Sequence, residues 1–130
     1  MNNIGFFESA NKPLYPVNFE EPDFIEFKNK TFHLSGKFDI KKSEYAKLIK
    51  NLGGEAKGFE ETKHLNLGKT DYLVCADKGA MGKEKLKPYG DKAIDAQKYN
   101  EKNNSHHISI IKESVWSGLI EVDTKVKRIR

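Results

Sequence analysis

Four short runs of β-prone residues alternate with segments of helical periodicity, and this order limits the chain to few folds. The runs comprise residues 31–35, 55–59, 70–75 and 107–111. Aliphatic strands joined through helices favour a small, mostly parallel sheet that is covered on both faces. A chain of 130 residues can bury one modest core, so we expect one α/β domain of roughly 100 residues.

The first helical segment is the most clearly amphipathic part of the chain. Asp39 or Ser43 can cap its start, and the Gly53-Gly54 pair predicts its end, because glycine readily adopts the left-handed conformation of a helix stop. Such a segment predicts a helix that packs one face on the sheet. That face consists of Tyr45, Leu48, Ile49 and Leu52.

Two further segments predict helices nearer the C-terminus. The second begins near Pro88, which suits the first turn of a helix, and continues to about Asn103. The third covers residues 113–119, where Trp116 is expected to fill the core. The predicted order of elements is β-α-β-β-α-β-α.

Residues 1–27 differ from the rest of the chain and predict an extended N-terminal arm. They contain three of the four prolines and no sustained helical or strand period. They also hold six of the 14 aromatic residues, too many for a fully solvated segment. The arm therefore folds back on its own domain or docks on a second subunit or partner chain. We expect the domain to cover residues 28–122 and a basic tail to cover residues 123–130.

The positive charge is concentrated in the predicted domain. The arm carries one lysine and five acidic residues, which leaves 22 basic and 14 acidic residues from position 28 onward, a net charge of +8. Such a surface favours polyanionic partners through steering and counterion release. The lone Cys75 has no disulfide partner, and no apolar stretch is long enough to span a bilayer. We therefore expect a cytoplasmic protein, associated with the nucleoid if it is bacterial, without a membrane partner.

Five pieces of the sequence occur in an order and at separations that resemble the BRCT family. The resemblance covers about residues 28–120. It implies a four-stranded parallel sheet, with the first and third helices on one face and the second helix on the other. The pieces are residues 32–36 (Phe-His-Leu-Ser-Gly), Gly53-Gly54, residues 70–74 (Thr-Asp-Tyr-Leu-Val), Lys92-Ala93, and residues 108–113 followed by Trp116.

The end of the first predicted strand offers a candidate phosphate site. In an open parallel sheet, ligands bind beyond the carboxyl ends of the strands, near helix N-termini. The hydroxyl of Ser35 and the amide of Gly36 can both donate to a phosphate oxygen. Lys92, in the early turns of the second predicted helix, can add a positive charge.

The resemblance implies the same three residues. BRCT domains that bind phosphopeptides use a hydroxyl, the following glycine and a lysine of the second helix. The related domain of the large subunit of replication factor C, which binds 5′-phosphorylated duplex DNA, also has a basic residue at the start of the first helix. The matching position here is Ser43, preceded by Lys41 and Lys42. Purely structural roles also explain these residue types, as a turn hydrogen bond, a backbone requirement or a solvated helix position.

These observations predict a non-catalytic module that binds phosphate groups, with DNA ends or nicks in replication or repair as the first hypothesis. A lone domain gains little from one phosphate in water, and it needs the further phosphates that a DNA backbone supplies. The alternative is a protein-interaction module that binds a phosphoprotein or forms a homodimer.

No motif in the sequence predicts catalysis, a metal site or a cofactor. The four histidines lack ligand-like spacing with one another or with Cys75. His33 is expected to be a hydrogen-bonded core residue. Asp91 and Asp95 lie one helical turn apart, but such a pair on a solvated helix is typical of ion pairs with neighbouring lysines.

Overall fold

A computed structural model describes residues 15–58, 64–76 and 89–120 of the chain. The predicted order of elements is confirmed, and no helix in these three ranges is long and apolar enough to cross a membrane. The elements are β1 (Thr31–Ser35), α1 (Lys42–Asn51), β2 (Glu55–Lys57), a 3-10 turn (Leu67–Lys69), β3 (Tyr72–Cys75), α2 (Asp91–Lys102), β4 (Ser109–Lys112) and α3 (residues 113–120).

The four strands form one parallel sheet in the order β2-β1-β3-β4. The α/β fold class with three helices is therefore confirmed. In the register, Phe32 lies beside Tyr72 and Ser35 lies beside Cys75. Because paired residues of parallel strands point to the same face, Ser35 and Cys75 share a face.

The face that carries Phe32 is covered by α1 and α3 and contains an aromatic core. Trp116 has 0% exposure, as expected for a core residue. Its ring centroid lies 5.6 Å from that of Phe32 and 5.8 Å from that of Tyr45. Phe27, from the arm, stacks on Phe32 at 5.2 Å. Fully buried aromatic side chains of this size dominate the energetics of a small core.

The opposite face is covered by α2, but only over β3 and β4. Ala93 and Ala96 are the buried residues of α2, and such small side chains let a helix approach the strands closely. Burial raises the pKa of the Cys75 thiol to about 12, so this cysteine is an inert packing residue. The buried cluster comprises Leu73, Cys75, Ala93, Ala96, Ile108 and Ile110.

The start of α1 differs from the prediction. Neither Asp39 nor Ser43 is its N-cap, because the cap position is Lys41, and no side-chain hydrogen bond caps this helix within the described residues. The Asp39 amide donates instead to a Glu113 carboxylate oxygen at 3.0 Å. The buried carboxylate of Glu113 on α3 therefore holds the loop before α1, where the sequence predicted a side-chain cap from Asp39 or Ser43.

The end of α1 agrees with the prediction. Gly53 has a φ of +95°, in the left-handed region that favours glycine. The amide of Gly54 donates to the carbonyl of Ile49 at 2.8 Å, which satisfies a helix-end carbonyl. The chain then turns directly into β2, at the edge of the sheet.

Residues 15–27 of the arm pack back on their own domain. The Glu20 amide donates to the Ile110 carbonyl at 2.8 Å, and the Tyr89 hydroxyl donates to the Tyr15 carbonyl at 2.6 Å. Ile25 is buried in the aromatic core beside Phe27. The described part of the arm thus adopts the first of the two expected arrangements, while residues 1–14 and the predicted tail at 123–130 lie outside the described residues.

Candidate anion-binding site

Ser35 is the last residue of β1, and the chain bends at Gly36. The Ser35 carbonyl accepts a hydrogen bond from the Ala76 amide at 2.9 Å, so β1 and β3 stay paired to their ends. Gly36 has a φ of +102°, and a β-carbon built there would lie 2.9 Å from the β-carbon of Ala76. Only glycine fits this position, and it leaves its amide unhindered by a side chain.

The N-terminus of α2 lies on the same face of the sheet as Ser35. Ser35 is in register with Cys75, which belongs to the same buried cluster as Ala93 of α2. Gly90 is the N-cap of α2, and no side-chain hydrogen bond caps this end of the helix. The first amides of α2 form the positive end of its helix dipole. Asp91 is the one acidic residue of this first turn.

Lys92 and Lys42 act on each other although they belong to different helices. The Lys42 amine donates to the Gly58 carbonyl at 3.0 Å. Burial lowers the pKa of Lys42, and the charge of Lys92 lowers it further. Lys42 and Lys92 therefore interact electrostatically from the starts of two different helices.

The three candidates at the start of α1 have different positions. Lys42 is the first residue of the helix and is half-buried, with its amine held at Gly58. Lys41 and Ser43 are both exposed. Among the described residues, no hydrogen bond or ion pair joins Lys41 or Ser43 to the other candidates. The structure therefore shows an interaction between Lys42 and Lys92, while Ser35 and Gly36 are neighbours at the end of β1.

His33 lies on the same face of the sheet as Ser35. The sequence did not predict the hydrogen-bonding state of its ring. Its exposure is 0%, as expected for a core residue. However, neither ring nitrogen has a hydrogen-bond partner among the described residues, so the expectation of a hydrogen-bonded histidine is wrong. Burial, and then the charges of Lys92, Lys42 and His64, lower the pKa of His33 to about 4. The signal in the sequence was a histidine two residues before Ser35, on the same strand face.

Other candidates contribute no site within the described ranges. The predicted helix start at Pro88 lies outside the described residues. No group of three or more histidine, cysteine or carboxylate side chains that could hold a metal ion occurs in the part of the chain that is described.

Comparison with known proteins gives one family. The family model of the BRCA1 C Terminus (BRCT) domain matches residues 22–116, which is most of the chain. Neither a curated protein nor a solved structure matches it. The matched range contains the sheet, α1 and α2. It also contains the six candidate site residues, Ser35, Gly36, Lys41, Lys42, Ser43 and Lys92.

Proposed function

The chain belongs to the BRCT family, and from this premise we propose that it binds the 5′-phosphate of a DNA end or nick. Domains of this family bind phosphoproteins or DNA, generally in DNA repair and replication. In the proposal, the Ser35 hydroxyl and the Gly36 amide donate to phosphate oxygens, and Lys42 and Lys92 neutralise the dianion.

One observation carries the proposal. Burial lowers the pKa of Lys42, at the start of α1, and the charge of Lys92, near the start of α2, lowers it further. The repulsion between these two like charges is unfavourable, and a bound dianion would reduce it. A phosphate between them would make charge-assisted hydrogen bonds, which are about twice as strong as neutral ones.

DNA is favoured over a single phosphorylated group by the charge of the domain. The net charge of +8 from residue 28 onward attracts a polyanion well beyond the local site. Contacts with several backbone phosphates release counterions, and this release supplies much of the affinity of a protein for DNA.

The test compares two nicked duplexes that differ only in a 5′-phosphate or a 5′-hydroxyl at the nick. Fluorescence anisotropy should give about tenfold tighter binding for the phosphorylated duplex, because the proposed site binds the phosphate dianion. The affinity for both should fall steeply as salt rises. Equal affinity for the two duplexes would refute the site.

Lys92→Gln is the decisive variant. It should weaken binding of the phosphorylated duplex by about 1–3 kcal/mol, because a charge-assisted hydrogen bond is lost. Lys47→Gln is the matched control, since Lys47 lies on α1 with its side chain 75% exposed and carries the same charge. If both variants weaken binding equally, the effect is non-specific electrostatics and the assignment of Lys92 is wrong.

A phosphoprotein is the second candidate partner, because a phosphorylated side chain presents the same dianion. Ile40, which precedes Lys41 and Lys42 in the chain, is 46% exposed. Its side chain offers an apolar surface that a peptide could contact. A phosphoserine peptide that displaces the nicked duplex at comparable concentration would favour this alternative. The unphosphorylated peptide is its control.

A further inference from the structure

An open cleft lies on the α2 face of the sheet, beside β1 and β2. Its volume is about 370 Å³, within the range of small-molecule sites. One wall is made by alternate residues of β1 and β2, which point to the same face because the strands are parallel. The other wall comes from residues 64–70. The lining consists of Thr31, His33, Glu55, Lys57, His64, Asn66, Lys69 and Thr70.

His33 connects this cleft with the candidate site at Ser35. It lines the cleft, it is fully buried, and both its ring nitrogens lack a partner among the described residues. A buried polar group without a hydrogen bond destabilises a fold by about 1–3 kcal/mol. A neutral imidazole has one N–H donor to offer, and a ligand oxygen in the cleft would satisfy it.

The charges around His33 select an anion. Burial lowers the pKa of His33 most, and the positive charges of Lys92, Lys42 and His64 lower it further. Lys57 and Lys69 add two further cations to the lining, while Glu55 is the only acid among the described lining residues and is paired with Lys57 at 2.8 Å. The potential in the cleft is therefore positive, which favours an oxyanion over a neutral or cationic ligand.

We infer that this cleft is a second oxyanion subsite, which binds the phosphate next to the terminal one along the same DNA strand. The inference rests on the proposed function. His33 and Ser35 are two residues apart on one strand face, so their Cα atoms are separated by about 6.6 Å along the strand. Consecutive phosphates of a DNA strand, linked through one sugar, have a comparable separation. His33 donates to the second phosphate, and Lys57 and Lys69 supply its counter-charge.

Two small nucleotides isolate this subsite from the rest of a duplex. Thymidine 5′-monophosphate carries the first phosphate, and thymidine 3′,5′-bisphosphate carries both at the spacing of a strand. Titrated into the full chain and followed by NMR, the bisphosphate should bind about tenfold more tightly than the monophosphate. The ring resonances of His33 should shift with the bisphosphate. Thymidine 5′-diphosphate has similar charge at the wrong spacing, and it should leave those resonances in place.

Variants separate the two subsites. Lys69→Gln, at an exposed position, should remove the advantage of the bisphosphate and leave the affinity for the monophosphate unchanged. Lys57→Gln should do the same. Lys92→Gln should weaken the binding of both nucleotides, and Lys47→Gln should change neither.

The failure of the second subsite is distinguishable from failure of the first. Equal affinity of the wild-type chain for the monophosphate and bisphosphate, with unshifted His33 resonances, would overturn the subsite and leave the Ser35 site standing. A shift of the His33 resonances by inorganic phosphate in the Lys92→Gln variant would support the subsite even if the Ser35 site fails. An equal His33 response to the 5′-diphosphate would overturn the spacing argument.

Discussion

The two halves of the α2 face differ in a way that separates stability from binding. Over β3 and β4 this face is apolar, and Leu73 and Ile110 are fully buried beneath α2. Over β1 and β2 the same face carries Thr31, His33 and Lys57 and is open as a cleft. Both halves belong to one parallel sheet, so the backbone does not distinguish them. The side chains distinguish them: one half packs apolar side chains beneath α2, and the other half carries polar and charged side chains.

The described part of the connection between β2 and β3 contains no α-helix that could cover the second half. The described residues there, 64–70, contain only the 3-10 turn, and the Thr70 hydroxyl donates to the Asn66 carbonyl at 2.7 Å to close it. A turn of three residues cannot bury the apolar area that a helix of 12 residues such as α2 buries. The polar residues of β1 and β2 on this face are therefore tolerated.

The largest expected effect is on the packed half. Ile110→Ala should lower the free energy of unfolding by about 2–5 kcal/mol, because it removes a fully buried side chain and leaves a cavity. Urea denaturation measures the change. Ile40→Ala deletes the same atoms at a position that is 46% exposed, and it should change the free energy by less than about 0.5 kcal/mol. Similar losses in the two variants would break the comparison.

The next effect is on His33 and depends on pH. The pKa of His33 is lowered to about 4, so between pH 6.5 and 4 the unfolded chain binds a proton that the folded chain does not. The stability that His33 contributes is present above pH 6.5 and is lost as the pH falls toward 4. The loss should reach about 3 kcal/mol at pH 4.

A variant isolates that contribution from the titration of carboxylates. His33→Leu keeps a large side chain and removes the titrating group, so the stability difference between wild type and variant should follow the predicted change. Urea denaturation at pH 7, 6, 5 and 4 measures it. Parallel pH profiles for the two proteins would show that His33 does not titrate as a buried neutral imidazole.

The smallest effect is on the open half. Lys57→Gln should change the free energy of unfolding by less than about 0.5 kcal/mol, because its ion pair with Glu55 is partly solvated. Thermal unfolding at pH 7 measures this. A loss above about 1 kcal/mol would mean that Lys57 stabilises the fold, and the two halves would then be less distinct than their burial indicates.

Local patterns predicted most of the fold. The first strand was predicted at residues 31–35 and is found there, because a short β-prone run followed by Gly36 has few alternatives. The helix stop at Gly53 was predicted from its backbone freedom alone. The N-cap of α1 was not, because Glu113, 74 residues from Asp39, organises that loop through a long-range hydrogen bond.

The choice of site residues remains a prediction. Ser35, Gly36 and Lys92 were selected from strand ends, glycine and helix starts, which are local features. Lys42 could not be distinguished from Lys41 and Ser43, since that choice depends on where α1 begins and on the carbonyl of Gly58. The state of His33 depends on which neighbours surround its ring, and those come from distant parts of the chain.

The sequence by itself determined the family resemblance, the order of strands and helices, and the residue types at the carboxyl end of β1. These follow from periodicity and from the conformational limits of single residues. Only the tertiary structure decided that Lys42 and Lys92 interact electrostatically. It also decided that His33 is buried without a hydrogen-bond partner among the described residues, and that a cleft lies beside β1 and β2. The physical reason is that burial and electrostatic interaction depend on distances between residues far apart in the chain, and no local pattern encodes those distances.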